Sequence, residues 1–188
     1  MSTEPTDAEL VRQTIAGDEA AFATLAARYR SRAFGTASRF ARGRQELEDL
    51  TQDIFLKVWK GLKSFRGDAP FEHWFMRIVV RTCYDFLRKN RKRRENEVLA
   101  ENSTDYLTRQ GEVSPEHRQR EAFEIVQRLM SQLNEKDRTI ITLLELEERS
   151  VREIADLTGW SESNVKVRAH RARKKMKSLY ETQMLAES

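Results

Sequence analysis

The chain has 188 residues, and its 34 Lys and Arg outnumber 30 Asp and Glu for a formal charge of +4. A single cysteine, Cys83, excludes an internal disulfide and a cysteine-based metal site within one chain. His73, His117 and His170 are too scattered for metal-ligand spacing, so neither a metal nor a cofactor is expected. No apolar run approaches the roughly 20 residues needed to cross a bilayer, and no basic region followed by an apolar run opens the sequence. A protein of the cytoplasm is expected, with no membrane insertion.

Only seven glycines and three prolines occur, and the composition is rich in helix formers, so the expected fold is all-α. Thr6 or Asp7 is placed to cap a first helix bearing Leu10, Val11 and Ile15, which stops near Gly17. Asp18 caps a second helix with Phe22, Leu25, Ala26 and Tyr29 on one stripe. A third helical stretch is expected over 31–42, ending at Gly43. From Gln45 to Leu62, Leu47, Leu50, Ile54, Phe55, Val58 and Leu62 recur at three and four residues, the period of a helix. Ser64 to Pro70 reads as a loop, since it holds Gly67 and Pro70. Phe71 to about Lys92 resumes a helix through Trp74, Phe75, Ile78, Val79, Cys83, Phe86 and Leu87.

Residues 95–115 are acidic, have little periodicity and finish at Gly111 and Pro115. They read as a flexible linker between two small helical domains, 1–94 and 116–188. Fully extended, about 21 residues reach roughly 70 Å, about two turns of a duplex rising roughly 3.4 Å per base pair. The second domain is expected to hold three helices before its last. They are Glu116–Leu133, one capped by Asn134, and a short one opened by the capping box Ser150-Val-Arg-Glu153.

Gly159 then makes a turn, and Ser161 or Ser163 opens the last helix. This order is that of a helix-turn-helix. On the last helix Val165, Ala169, Ala172, Met176 and Leu179 form a narrow apolar face. The opposite face presents Ser163, Val167, His170, Arg171 and Lys174, with Lys166 and Lys177 beside them. The second helix of such a motif enters the major groove. Arg171 has the reach for a bidentate contact to guanine, with Lys166 or His170 on neighbouring bases. Arg168, Arg173 and Lys175 lie on the flanks, where phosphates are met.

Two other segments point the same way. Phe65, Phe71, Trp74, Phe75, Tyr84 and Phe86 crowd the stretch leading into the basic run Arg88 to Arg94. Aromatic faces stack on unpaired bases while Arg and Lys hold the backbone, and the Gly-Pro loop is placed to trap an extruded base. Most of these rings must also build core. The helix at 45–62 carries Glu46, Asp49 and Asp53 with Gln52, an acidic ridge that repels phosphates and suits a basic protein surface.

Together these motifs resemble a bacterial RNA polymerase sigma factor of the extracytoplasmic-function group. The resembling segments are Glu48-Asp-Leu-Thr-Gln-Asp-Ile-Phe-Leu-Lys-Val-Trp59, Phe65-Arg-Gly-Asp-Ala-Pro-Phe71 with Trp74 and Arg77-Ile78, Asp85-Phe-Leu-Arg88, and Ile154-Ala155 followed by Asn164-Val-Lys-Val-Arg-Ala-His-Arg-Ala-Arg173. The resemblance implies two helical domains that both bind core polymerase. It implies docking on the large polymerase subunits through Asp49, Gln52, Asp53, Phe55 and Leu56. Contacts to the minus-ten element are implied for Phe65, Arg66, Gly67, Asp68, Ala69, Phe71, Trp74, Arg77, Arg81, Arg88 and Arg91, the loop receiving a flipped base. Contacts to the minus-thirty-five duplex are implied for Ser163, Asn164, Lys166, Val167, Arg168, His170, Arg171, Arg173 and Lys174. The family is commonly silenced by an anti-sigma factor, so such a partner is implied too.

The chain departs from the family at two places. Where many relatives carry asparagine, Val79-Val80 is followed by Arg81, a longer cation, and minus-ten specificity does not carry over. Asn164 stands where threonine is usual. Two other functions fit less of the sequence. A stand-alone helix-turn-helix regulator leaves the aromatic loop and the acidic ridge unexplained. A nuclease lacks any His/Cys/Asp cluster, P-loop or nucleophile-base spacing, and no enzymatic activity is expected.

Overall fold

A computed structural model describes residues 4–97 and 125–186, with backbone alone over 91–97 and at 184 and 186. The described residues are helical and contain no strand. In chain order the helices are α1 (Asp7–Ile15), α2 (Glu19–Ser38), α3 (Arg44–Gly61) and α4 (Phe71–Glu97), followed by α5 over 125–131. Then come α6 (Glu135–Ile141), α7 (Val151–Thr158) and α8 (Glu162–Ala186). The chain divides into two compact units, Met1–Leu87 with Arg152–Trp160, and Arg88–Val151 with Ser161–Ser188.

Short-range side-chain caps set the starts of α1, α2, α6 and α8. The Thr6 hydroxyl accepts the Glu9 N–H at 3.3 Å, and the Glu9 carboxylate accepts the Thr6 N–H at 2.7 Å. That reciprocal bonding, chiefly from the Thr6 backbone, holds the Glu9 carboxyl below its ordinary range. Asp18 Oδ1 accepts the N–H groups of Ala20 and Ala21 at 2.9 and 3.1 Å. Each cap satisfies donors that a helix start leaves without an internal partner.

Two boundaries differ from the sequence reading. α2 runs without a break from Glu19 to Ser38, because nothing at Arg30-Ser31-Arg32 interrupts it, so the separate helix at 31–42 does not exist. α4 continues to Glu97, three residues into the expected linker. The run Arg91 to Glu97 contains no glycine or proline, and helix propensity carries the backbone onward. The remainder of that linker, and the start of the helix expected at Glu116, lie outside the described residues.

In the first unit α1 packs on α2 and α2 on α3. Leu10, Leu25, Ala33, Ala37, Phe40, Leu50, Ile54, Val58, Phe75, Val79 and Cys83 are all buried. Rings knit the layer: Tyr29 meets Phe71 at 5.3 Å and Phe75 at 4.9 Å, and Phe22 meets Trp59 edge-on at 4.7 Å. Edge-to-face and tilted arrangements of this kind add to the gain from burial. α7 belongs to this unit through Arg77, whose Nε donates to the Asp156 carbonyl at 2.9 Å, and through Tyr84 against Trp160 at 5.7 Å.

In the second unit α6 packs on α8, and Met130, Leu133, Ile141 and Ala172 form a cluster that Met176 partly covers. Beyond α6 the backbone widens into a π turn over Thr142–Leu146. Glu147 and Arg149 donate back to the carbonyls of Thr142 and Leu143 at 3.1 and 2.9 Å.

Candidate nucleic-acid interface

Three surfaces hold the residues singled out by sequence. The first is the loop ahead of α4. A 3-10 turn over Leu62–Ser64 leads into it, and Gly67 turns it with φ +78, a backbone conformation open to glycine. The Pro70 carbonyl accepts the N–H of His73 at 3.0 Å, starting α4. Phe65 lies 5.6 Å from Phe71 and 5.3 Å from Trp74. A pocket of about 230 Å³ opens here, lined by residues 64–69 with His73, Trp74 and Arg77.

This pocket brings together Phe65, Arg66, Gly67, Asp68, Ala69, Trp74 and Arg77 from the minus-ten set. His73 joins them, although nothing in the sequence motifs pointed to it except its position one residue before Trp74. Phe71 differs: it is 5% exposed and packed against Tyr29, Trp74 and Phe75, so it supports the pocket from behind. Arg81 and Arg88 are exposed further along α4. Seven residues apart, they lie on about the same side of the helix. Val79 and Val80, beside Arg81, are fully buried. The side chain of Arg91 lies outside the described residues.

The second surface is the outer face of α3. Asp49, Gln52 and Leu56 are exposed, Leu56 at 48%, and Asp53 is half-exposed and paired to Lys57 at 3.0 Å. Phe55 is half-buried with its ring 6.0 Å from Phe75. Glu46 is used locally, its carboxylate accepting the Arg42 N–H at 2.9 Å. The N-cap of α3, Gly43, has no side chain with which to cap the helix. The acidic face thus carries an apolar centre in Leu56, with Trp59 one turn on at 39% exposure.

The third surface is α8. Ser161 is the capping serine, its Oγ accepting the Asn164 N–H at 3.2 Å, and Gly159 sits in the preceding turn at φ +75. Val165, Ala169 and Ala172 are buried as their spacing requires. Ser163, Lys166, Val167, His170, Arg171 and Lys174 are exposed, Val167 at 49%. The flanking cations behave differently. Arg168 donates to Asp137 at 2.9 Å and to Asn164 at 3.0 Å. Arg173 Nε donates to Glu145 at 2.8 Å, and Lys175 Nζ to the Gln132 carbonyl at 2.7 Å. All three hold partners within their own unit.

Two family models match the chain, Sigma-70 region 2 over residues 25–93 and Sigma-70, region 4 over residues 123–176. It is 32% identical to the ECF RNA polymerase sigma-E factor of Haemophilus influenzae over 183 residues, 92% of this chain and 94% of that one. The chain belongs to the sigma-70 family, in its extracytoplasmic-function group. Similar too is the RNA polymerase sigma-H factor of Pseudomonas aeruginosa, 33% identical over 92% of this chain and 93% of that one. Among solved structures, CnrH in complex with the cytosolic domain of CnrY aligns with TM-score 0.61 at 25% identity, covering 92% of this chain and 96% of that one. The sigma factor RpoE of Bartonella quintana, solved with the anti-sigma factor NepR, shares the fold at 19% identity and TM-score 0.57, covering 85% of this chain and 96% of that one.

As a sigma factor the protein binds core RNA polymerase and promoter DNA and directs transcription initiation; it is not an enzyme. The stand-alone regulator falls away, because both polymerase-associated regions are matched in one chain. Among the described residues no cluster of His, Cys, Asp or Glu is fit for a metal, and no helix is long and apolar enough to cross a membrane.

Proposed function

We propose that residues 1–94 dock on the polymerase and open the minus-ten element, and that residues 116–188 read the minus-thirty-five element as duplex. In this reading Asp49, Gln52, Asp53, Phe55 and Leu56 meet the large polymerase subunit. A carboxylate ridge around an exposed leucine suits a basic surface with an apolar patch. The loop pocket takes one flipped base, stacked by Phe65 and Trp74, while Arg66, Arg77, Arg81, Arg88 and Arg91 track the strand. Ser163, Lys166, Val167, His170, Arg171 and Lys174 enter the major groove, Val167 suited to a thymine methyl and Arg171 to guanine.

The observation that carries this division is the aromatic-walled pocket, open to solvent and bordered by Arg66 and Arg77. A purely duplex-reading protein has no use for it. The protein works with the polymerase, in the cytoplasm, and is silenced by an anti-sigma partner. CnrH, which resembles it over nearly its whole length, was captured with the cytosolic domain of CnrY.

Reconstituted transcription tests the reading. Purified chain added to sigma-free core enzyme on a random promoter library should yield transcripts from templates that share an upstream element and a minus-ten element. Absence of initiation on every template, with the chain folded, would end it.

A further inference from the structure

A buried carboxylate in the second unit sits at the root of α8. Asp137 is 9% exposed, on the first turn of α6. Its Oδ2 accepts Asn134 Nδ2 at 2.6 Å, and its Oδ1 accepts Arg168 Nη1 at 2.9 Å. Arg168 Nε in turn donates to Asn164 Oδ1 at 3.0 Å, and the Asn164 N–H donates to Ser161 Oγ, the cap of α8. One chain of bonds therefore joins the cap of α6 to the cap of α8.

A buried carboxylate is costly unless a cation and further donors satisfy it. Asp137 obtains both from side chains in fixed places, so rotating α8 about its axis would break the Arg168 pair. That rotation decides which residues face outward. With Asn164 and Arg168 turned toward α6, positions 163, 167, 170, 171 and 174 are left exposed. The N-terminal part of such a helix is where base edges are met.

We infer that Asp137 is a positioning residue for duplex reading: through Arg168 and Asn164 it sets the rotation of α8, and it withholds the Arg168 guanidinium from phosphate. This rests on the proposed reading face of α8. Arg168 then contributes to sequence preference without contributing to the salt dependence of binding, the reverse of a phosphate contact.

The test uses the full chain on two probes, a duplex selected by the unaltered chain from a random library and a scrambled duplex of equal length, titrated with salt. Each phosphate contact adds about 0.9 to the slope of log affinity against log salt. Arg168→Gln should lower the preference for the selected duplex by about tenfold, the size of one mismatched base pair, with the slope unchanged. Asp137→Ala should lower it similarly and raise the slope by about one, as the released guanidinium finds a phosphate. Combining both changes should cost no more preference than either alone.

A fall in slope by about one with Arg168→Gln would overturn the inference, since Arg168 would then be a phosphate contact. Equal weakening on both probes with an unchanged slope would also overturn it, leaving a role in stability alone. Arg168→Gln suffices for this decision if Asp137→Ala does not fold. Arg171→Ala serves as the separate check on the reading face. If that variant keeps its full preference, the face itself is wrong and this inference falls with it. If it loses preference while Arg168→Gln fails as described, only the role of Asp137 falls.

Discussion

Trp74 lies against the end of α3 at Gly61, where a Cβ would stand 3.2 Å from its Cζ2, 3.4 Å from its Cη2 and 3.7 Å from Ile78 Cδ1. Phe65 and Phe71 also pack on the indole, so the open loop pocket that it lines is the side on which it can yield. Gly61→Ala gains helix propensity of up to about 1 kcal/mol, which offsets a strain of similar order from the tight contact. Thermal stability should therefore change by less than about 1 kcal/mol, while Trp74 is pushed toward the loop pocket. Open-complex formation, followed by permanganate reactivity of unpaired thymines, should fall in this variant. Unaltered melting would show that the pocket tolerates the shift.

Tyr29 donates its hydroxyl to Asp7, which also pairs with Arg28, and this joins α2 to the first turn of α1. Burial, followed by the bond to Asp7 and its charge, pushes the phenol above its ordinary value of 10.0. The folded state therefore holds the proton more tightly than the unfolded chain. The resulting stability is fully present below about pH 10 and is lost as pH rises beyond it. Tyr29→Phe should cost about 0.5–1.5 kcal/mol near neutrality and flatten the decline above pH 10. Urea midpoints across the alkaline range check this; parallel declines in both proteins would count against it.

Among the described residues Asp53 pairs with Lys57, one turn away on an exposed face. Such pairs contribute roughly 0–1 kcal/mol, so Asp53→Arg should leave the melting temperature nearly unchanged. Affinity for core polymerase should drop if α3 is the docking face proposed above, because the substitution sets a cation in its acidic ridge. Core affinity equal to that of the unaltered chain would remove α3 as the docking surface.

Arg171 is exposed on the outward face of α8 beside Val167. Arg171→Ala should weaken binding to the preferred duplex by about 1–3 kcal/mol and relax specificity at one position. Arg173 is engaged with Glu145, and Arg173→Ala should affect preference far less. Equal losses on all duplexes from Arg171→Ala would reduce Arg171 to a phosphate contact.

Helix starts were largely legible from sequence because their determinants are local. Thr6 with Glu9, Asp18 with Ala20, Asn134 with Asp137 and Ser161 with Asn164 act within three residues of each other. The acidic ridge and the aromatic loop were legible for the same reason, as residue types crowded into short segments. The continuity of α2 was missed because exposed polar residues in mid-helix weaken the apolar stripe without ending the helix. The overrun of α4 to Glu97 is hidden in the sequence because the composition changes there while the backbone does not.

What escaped the sequence was how side chains are shared. Arg168 looks like any other cation on a basic helix until Asp137, 31 positions earlier, is placed beside it; Arg173 has its partner 28 positions away. Phe71 and Trp74 belong to one aromatic run, yet Phe71 is buried while Trp74 lines a pocket. Periodicity and capping operate along the chain at separations of a few residues, so they are written in the order of the amino acids. Which cation is spent inward and which ring supports another depends on packing between distant segments, and no pattern in one segment carries that information.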